Sequence, residues 1–146
     1  MKNFFVIAFI AALIGSCQSK VASSDLPRIN GYWEIEKVVF PDGNQKEYSI
    51  NETFDYFKII NNKGIRKKVM PQLDGTFLVN DTFETIEIKE VEDKYFLQCS
   101  TDFTKWQEEI ISLTDQELVL LNPSKKEYHY KRAVPINIIP NGKKTQ

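Results

Sequence analysis

Residues 31–40 read GYWEIEKVVF, with Trp33, Ile35 and Val39 on one side of an extended chain and Glu34 and Glu36 on the other. A period of two is the mark of a strand with one face buried. Pro41-Asp42-Gly43-Asn44 then supplies the residues that turn a chain back on itself. The same pattern repeats along the rest of the chain. Thr53–Ile60 (TFDYFKII) is a second strand, closed by a hairpin-type turn at Asn61–Gly64, and Ile65–Val69 returns as a short basic strand. Thr76–Val79, Thr82–Lys89 (TFETIEIK), Lys94–Ser100, Glu117–Leu121 and Lys126–Arg132 follow, each bounded by Asp, Asn, Gly or Pro. Lys105–Leu113 reads either as a strand or as a helical turn entering one. Short, evenly spaced strands without a long helix predict an all-β antiparallel sandwich or up-and-down barrel.

Composition agrees with this class. The 146 residues suit one domain, with 42% hydrophobic and 27% charged residues, and the 10 Phe and 6 Tyr favour pleated surfaces. The net charge is −1 and no basic stripe is interleaved with aromatics, so nucleic acid is not an expected partner.

The first sixteen residues differ from the rest. Lys2 precedes an apolar run, Phe4–Ile14, and small residues follow it at Gly15-Ser16. A charged, then apolar, then small-residue order predicts a secretory signal peptide. The run falls short of the ~20 residues that a membrane-spanning helix needs. Leu13-Ile14-Gly15-Ser16-Cys17 resembles the lipobox of bacterial lipoproteins, which implies cleavage before Cys17 and lipid attachment to its thiol. Several acyl chains anchor stably where one is marginal. The absence of Asp after Cys17 resembles an outer-membrane destination facing the periplasm. Polar, small residues up to Asn30 read as a flexible linker. The expected organisation is therefore a signal peptide over 1–16, a lipidated N-terminus and linker over 17–30, a β domain over 31–134 and a tail over 135–146. With Cys17 lipidated, Cys99 has no disulfide partner and reads as a small core residue.

Gly31-Tyr32-Trp33 in the first strand and Tyr130-Lys131-Arg132 in the last resemble the lipocalin-like (calycin) arrangement. Ile110–Arg132 (IISLTDQELVLLNPSKKEYHYKR) is similar to the final hairpins of small bacterial lipocalin-like domains. The resemblance implies a barrel of about eight strands. It also implies a plug at the closed end formed by Gly31, Trp33 and Arg132, with the arginine packed over the indole. The family's Thr-Asp-x-x-Tyr turn is not clearly present; Thr101-Asp102-Phe103 is a loose echo.

No motif for catalysis stands out. His129, the single histidine, faces outward by alternation, no serine sits in a Gly-x-Ser-x-Gly turn, and one His with one free Cys cannot build a zinc site. Glu84/Glu87 and Glu108-Glu109 read as solvated carboxylates, because adjacent residues on a strand point to opposite faces. The expectation is therefore no catalytic residue, metal or cofactor. If Trp33 faces inward, strand alternation carries Lys37 inward as well, and Tyr128 and Tyr130 share the side of Arg132. These three are the candidate ligand-facing residues. The partners implied are a membrane through the lipid and either a small hydrophobic or amphipathic molecule or an envelope protein.

Overall fold

The computed structural model describes residues 20–134; the expected signal peptide, Cys17 and the tail from 135 onward lie outside the described residues. Ten strands follow one 3₁₀ helix, Ser23–Ile29. They are β1 (Gly31–Val39), β2 (Gln45–Glu47), β3 (Phe54–Ile60), β4 (Lys63–Pro71), β5 (Phe77–Val79), β6 (Glu84–Val91), β7 (Lys94–Ser100), β8 (Lys105–Leu113), β9 (Glu117–Leu121) and β10 (Glu127–Arg132). All pairings are antiparallel, in the order β10-β9-β8-β7-β6-β4-β3-β1, and β10 pairs with β1. Eight strands thus close an up-and-down barrel, which leaves its wall without a free edge.

Strands β2 and β5 lie outside that ring. β1 pairs with β3 at Gly31–Trp33 but with β2 at Lys37–Val39, and β4 pairs with β6 at Lys63–Arg66 but with β5 at Val69–Pro71. The wall therefore splits at the end where β1 and β4 finish. The opposite end is tight. Asn61-Asn62 and Glu92-Asp93 both have positive φ at each residue, so each connects its strands as a two-residue turn matched to the sheet twist. Lys63 and Gly64 belong to β4 rather than to the turn. A Cβ on Gly64 would lie 1.9 Å from the Lys58 carbonyl oxygen, so this position tolerates no side chain while the two strands approach so closely.

Inside the ring, Trp33, Phe57, Ile86, Leu97, Cys99, Leu118 and Leu120 are almost fully buried. A second apolar cluster lies on the outer surface, where Phe54, Val69 and Ala133 pack with Tyr32, Tyr56 and Phe77. Tyr32 and Phe77 stack with their ring centroids 4.0 Å apart.

Two expectations change. Lys105–Leu113 is a strand throughout. The segment leading to Asn30 is not a flexible linker over its whole length: from Ser23 it is helical, and Leu26 and Ile29 are buried with Val21 in the barrel core. Leu26 and Ile29 sit three residues apart, so one face of a 3₁₀ turn carries both into the barrel end. Seven residues around Pro27 leave too little periodicity to read as helix from sequence.

Candidate binding site at the open end of the barrel

The closed end is built first by β1. Gly31 takes φ +111°, a backbone region that disfavours any side chain, and a Cβ there would meet Arg132 Nη1 at 3.0 Å. Two residues on, Trp33 is fully buried and its Nε1 donates to the Ile29 carbonyl at 2.7 Å. Arg132 lies 3.8 Å above the indole. Its Nη1, Nη2 and Nε donate to the carbonyls of Asn30, Arg28 and Asp115 at 2.7, 2.6 and 2.9 Å. Partial burial lowers the Arg132 pKa, and Asp115 opposes that shift. Asn30 adds a stitch, since its side chain donates to the Ile59 carbonyl at 3.0 Å and accepts from the Ile59 N–H at 2.6 Å. Trp33, Arg132 and the 3₁₀ helix together shut this end.

The interior changes character towards the split end. Asp55 and Arg66 are the buried charged residues among those described, at 3% and 7% exposure. Both point inward because they sit in register with the core: Arg66 pairs with Phe57 across β3–β4 and Asp55 with Trp33 across β1–β3. Arg66 Nε donates to Glu84 Oε2 and its Nη1 to Glu108 Oε2 at 2.9 Å, while the guanidinium lies 5.6 Å from the Phe57 ring centre. Burial works against the Arg66 charge, but Glu108 and Glu84 outweigh it and hold the pKa above its ordinary value. Lys68 Nζ donates to Asp55 Oδ2 at 2.7 Å. The two glutamates are therefore not solvated surface, a correction to the sequence reading. Glu108 lies opposite Leu97 with its side chain 12% exposed, and it is Glu109 that turns outward to Lys94 at 2.9 Å.

Lys37 also changes side. In the β1–β10 ladder Ile35 pairs with Tyr130 but Lys37 pairs with His129, so Glu36 is an extra residue in a β-bulge. The bulge resets the alternation: Val38, opposite Tyr128, is buried, and Lys37 joins His129 on the outer face. His129 Nε2 lies 2.9 Å from Glu127 Oε2. Tyr130 is buried in the core, and burial holds its hydroxyl well above its ordinary range, with Asp55 adding to the effect and Arg66 opposing it. Tyr128 packs against the core and its hydroxyl accepts from Asn122 Nδ2 at 3.4 Å. Of the three candidate ligand-facing residues, the two tyrosines thus line the interior and Lys37 does not. Cys99 is buried, and desolvation pushes its thiol up to about 12 against the pull of Arg66.

Two cavities open here and share Thr82, Phe83 and Thr101. A pocket of about 170 Å³ is lined by Asp55, Arg66, Lys68 and Glu84 with Phe83 at its lip. A cleft of about 510 Å³ continues past Phe83 to Phe103, which is 96% exposed. A charged pocket joined to a cleft that presents two phenylalanine rings among polar side chains suits a molecule with a polar head and a short apolar body. Among the described residues no group of three or more His, Cys, Asp or Glu could hold a metal ion. Sequence reading missed Asp55, Arg66 and Lys68 altogether.

A closed eight-stranded barrel, plugged by an arginine over a tryptophan and open at the other end, defines a calycin-type domain. The chain belongs to the lipocalin-like domain family, whose model matches residues 29–120. It is similar to a lipocalin-like protein from Bacteroides uniformis ATCC 8492, at 12% identity and a TM-score of 0.46 over 73% of this chain and 99% of that one. It is likewise similar to an uncharacterized protein from Bacteroides eggerthii DSM 20697, at 12% identity and a TM-score of 0.45 over 71% and 98% of the two chains. None of the curated proteins matches it.

Proposed function

We propose that this protein is a non-enzymatic, lipid-anchored binding module of the cell envelope that takes a small amphipathic molecule at the open end of its barrel. The observation that carries the reading is the joining of buried charges, Asp55 and Arg66, to a cleft in which the rings of Phe83 and Phe103 stand among Thr, Ser and Asp side chains. Buried ion networks do little for stability compared with an apolar core of the same shape, so their presence where the wall splits favours a ligand. The anchor is Cys17, and the periplasmic face of the outer membrane is the proposed location.

The test is native mass spectrometry of the full chain isolated from the membranes of its own cells. A stoichiometric small molecule that is lost on Phe83→Ala supports the carrier. An accessory role in an envelope complex is the second reading, favoured by the exposed Met70, Leu73, Leu78 and Val79 beside the outer aromatic cluster. Recovery of ligand-free protein with a stoichiometric partner chain would sink the carrier in favour of that reading.

A further inference from the structure

We propose that the pocket at the open end selects a cation: the ammonium group of an amphiphilic amine, which displaces Lys68 from Asp55. The inference rests on the binding reading above and adds the sign of the ligand's charge.

The two partners of the Asp55–Lys68 pair are held very unequally. The Asp55 side chain is 4% exposed, while that of Lys68 is 59% exposed. A carboxylate so deeply placed needs a positive partner, because its own solvation has been lost. A lysine that reaches in from solvent is an exchangeable partner, since on leaving it regains full hydration and rotamer freedom. The second cation of the pocket is not exchangeable in this way. Arg66 is 8% exposed by side chain and is bonded to both Glu84 and Glu108.

Counting charge decides the sign of the ligand. Asp55, Glu84 and Glu108 are three carboxylates, and with Lys68 withdrawn two cations remain against them, Arg66 and Lys67, the latter lining the same pocket. An anionic head would enter a site already in negative excess, and a neutral head would leave Asp55 unpaired. A cationic head restores the balance that Lys68 supplies in the empty protein. The surroundings suit an ammonium further. Thr82 and Thr101 line the same pocket and offer acceptors for its remaining N–H groups. The Phe83 ring at the lip already has a cation over it, with Lys67 Nζ 5.8 Å from its centre, so this rim accommodates positive charge. The apolar body of the amine would then cross Phe83 into the cleft that ends at Phe103.

The experiment uses the full chain in zwitterionic phospholipid nanodiscs, titrated calorimetrically at neutral pH against empty nanodiscs with three probes of equal chain length: hexylamine, 1-hexanol and hexanoate. Hexylamine should bind about tenfold or more tighter than 1-hexanol, and hexanoate should give no binding heat. Lys68→Ala removes the internal competitor, so it should tighten hexylamine several-fold and leave 1-hexanol unchanged. Asp55→Asn should reduce hexylamine to the level of 1-hexanol. Should that variant fail to fold by circular dichroism, Lys68→Ala decides alone, and unchanged or weaker hexylamine binding in it overturns the proposal. Binding of hexanoate or 1-hexanol as tight as that of hexylamine, and sensitive to Phe83→Ala, would leave the binding site standing and overturn the selection for a cation. No Phe83-sensitive binding of any probe would bring down both.

Discussion

Replacing Arg66 and its two glutamates separates a network kept for stability from one kept for binding. Arg66→Met alone strands Glu108, at 12% exposure, and Glu84, at 30%, without their counter-charge. Removing one side of a buried ion pair costs about 3–5 kcal/mol. Glu84 can turn partly to water, so the loss falls in the lower half of that range. The expected loss is therefore about 3 kcal/mol, or on the order of 12 °C in Tm for a domain of this size. The triple variant Arg66→Met, Glu84→Gln, Glu108→Leu fills the same space without stranding a charge. Such replacements range from neutral to stabilising by about 1–4 kcal/mol. Unfolding in urea, followed by the fluorescence of Trp33 and Trp106, gives both free energies, and unchanged m-values would show that the variants unfold from comparably folded states. The network is therefore not expected to hold the fold, and the triple variant should be at least as stable as the parent. A triple variant as unstable as Arg66→Met would refute it, because the network would then hold the fold.

Three further outcomes follow from the described geometry. Gly31→Ala meets both a left-handed backbone and the Arg132 guanidinium 3.0 Å away, so it should cost about 1–3 kcal/mol. In an Arg132→Ala background the steric part vanishes, and a double-mutant cycle in urea should return a coupling above about 0.5 kcal/mol, with additivity counting against the contact. Cys99 is protonated in the folded chain up to about pH 12 but ionises near 9 once unfolded, so the folded state holds the extra proton across that window. Stability should then be intact below pH 9 and fall by about 1.4 kcal/mol per pH unit above it, with Tyr130 steepening the fall from about pH 10. Urea titrations of Cys99→Ala should show a shallower alkaline loss, and an unchanged slope would assign the loss to other groups. Cys17→Ser should move the protein from the membrane to the soluble fraction on cell fractionation, and a variant that stays in the membrane contradicts the anchor.

The barrel was legible from sequence where apolar and polar residues alternate without interruption. In β7 the pattern Tyr95, Leu97, Cys99 carries three buried residues, and β9 carries Leu118 and Leu120 in the same way. The two ends that close the ring, Trp33 and Arg132, were legible through residue types as much as through period. The open end was not, for two physical reasons. A bulge has no residue signature in β1, and Glu36 looks like any outward glutamate while it reverses the facing of Lys37 behind it. The interior charges break the rule that alternation rests on. Arg66 lies in a run of Ile65-Arg66-Lys67-Lys68-Val69, where hydropathy gives no hint that one cation points inward and the next outward. Only the pairing register with Phe57, and the two glutamates brought from β6 and β8, give Arg66 its place. A functional interior in a small barrel is therefore hidden from period-two reading by the very polarity that makes it functional.

The placement of the N-terminus joins these two ends into one design. The chain enters at the plug: Val21, Leu26 and Ile29 pack into the closed end, and Lys20 lies 3.0 Å from Asp93 in the two-residue turn there. With lipid on Cys17, only Gln18, Ser19 and Lys20 separate the anchor from the folded domain. Three residues reach at most about 10 Å, so a domain anchored in this way would sit close to the bilayer rather than swing on a long arm. Under the proposed anchoring the plug would face the membrane, and the pocket of Asp55 and Arg66 would open on the opposite side, towards the aqueous space. That orientation fits capture of a molecule from solution better than extraction of one from the lipid. It also gives the apolar half of the barrel a second task. Besides leading to the proposed anchor, the indole, the guanidinium and the buried 3₁₀ helix supply the stability against which a split, charged and less stable mouth can be maintained.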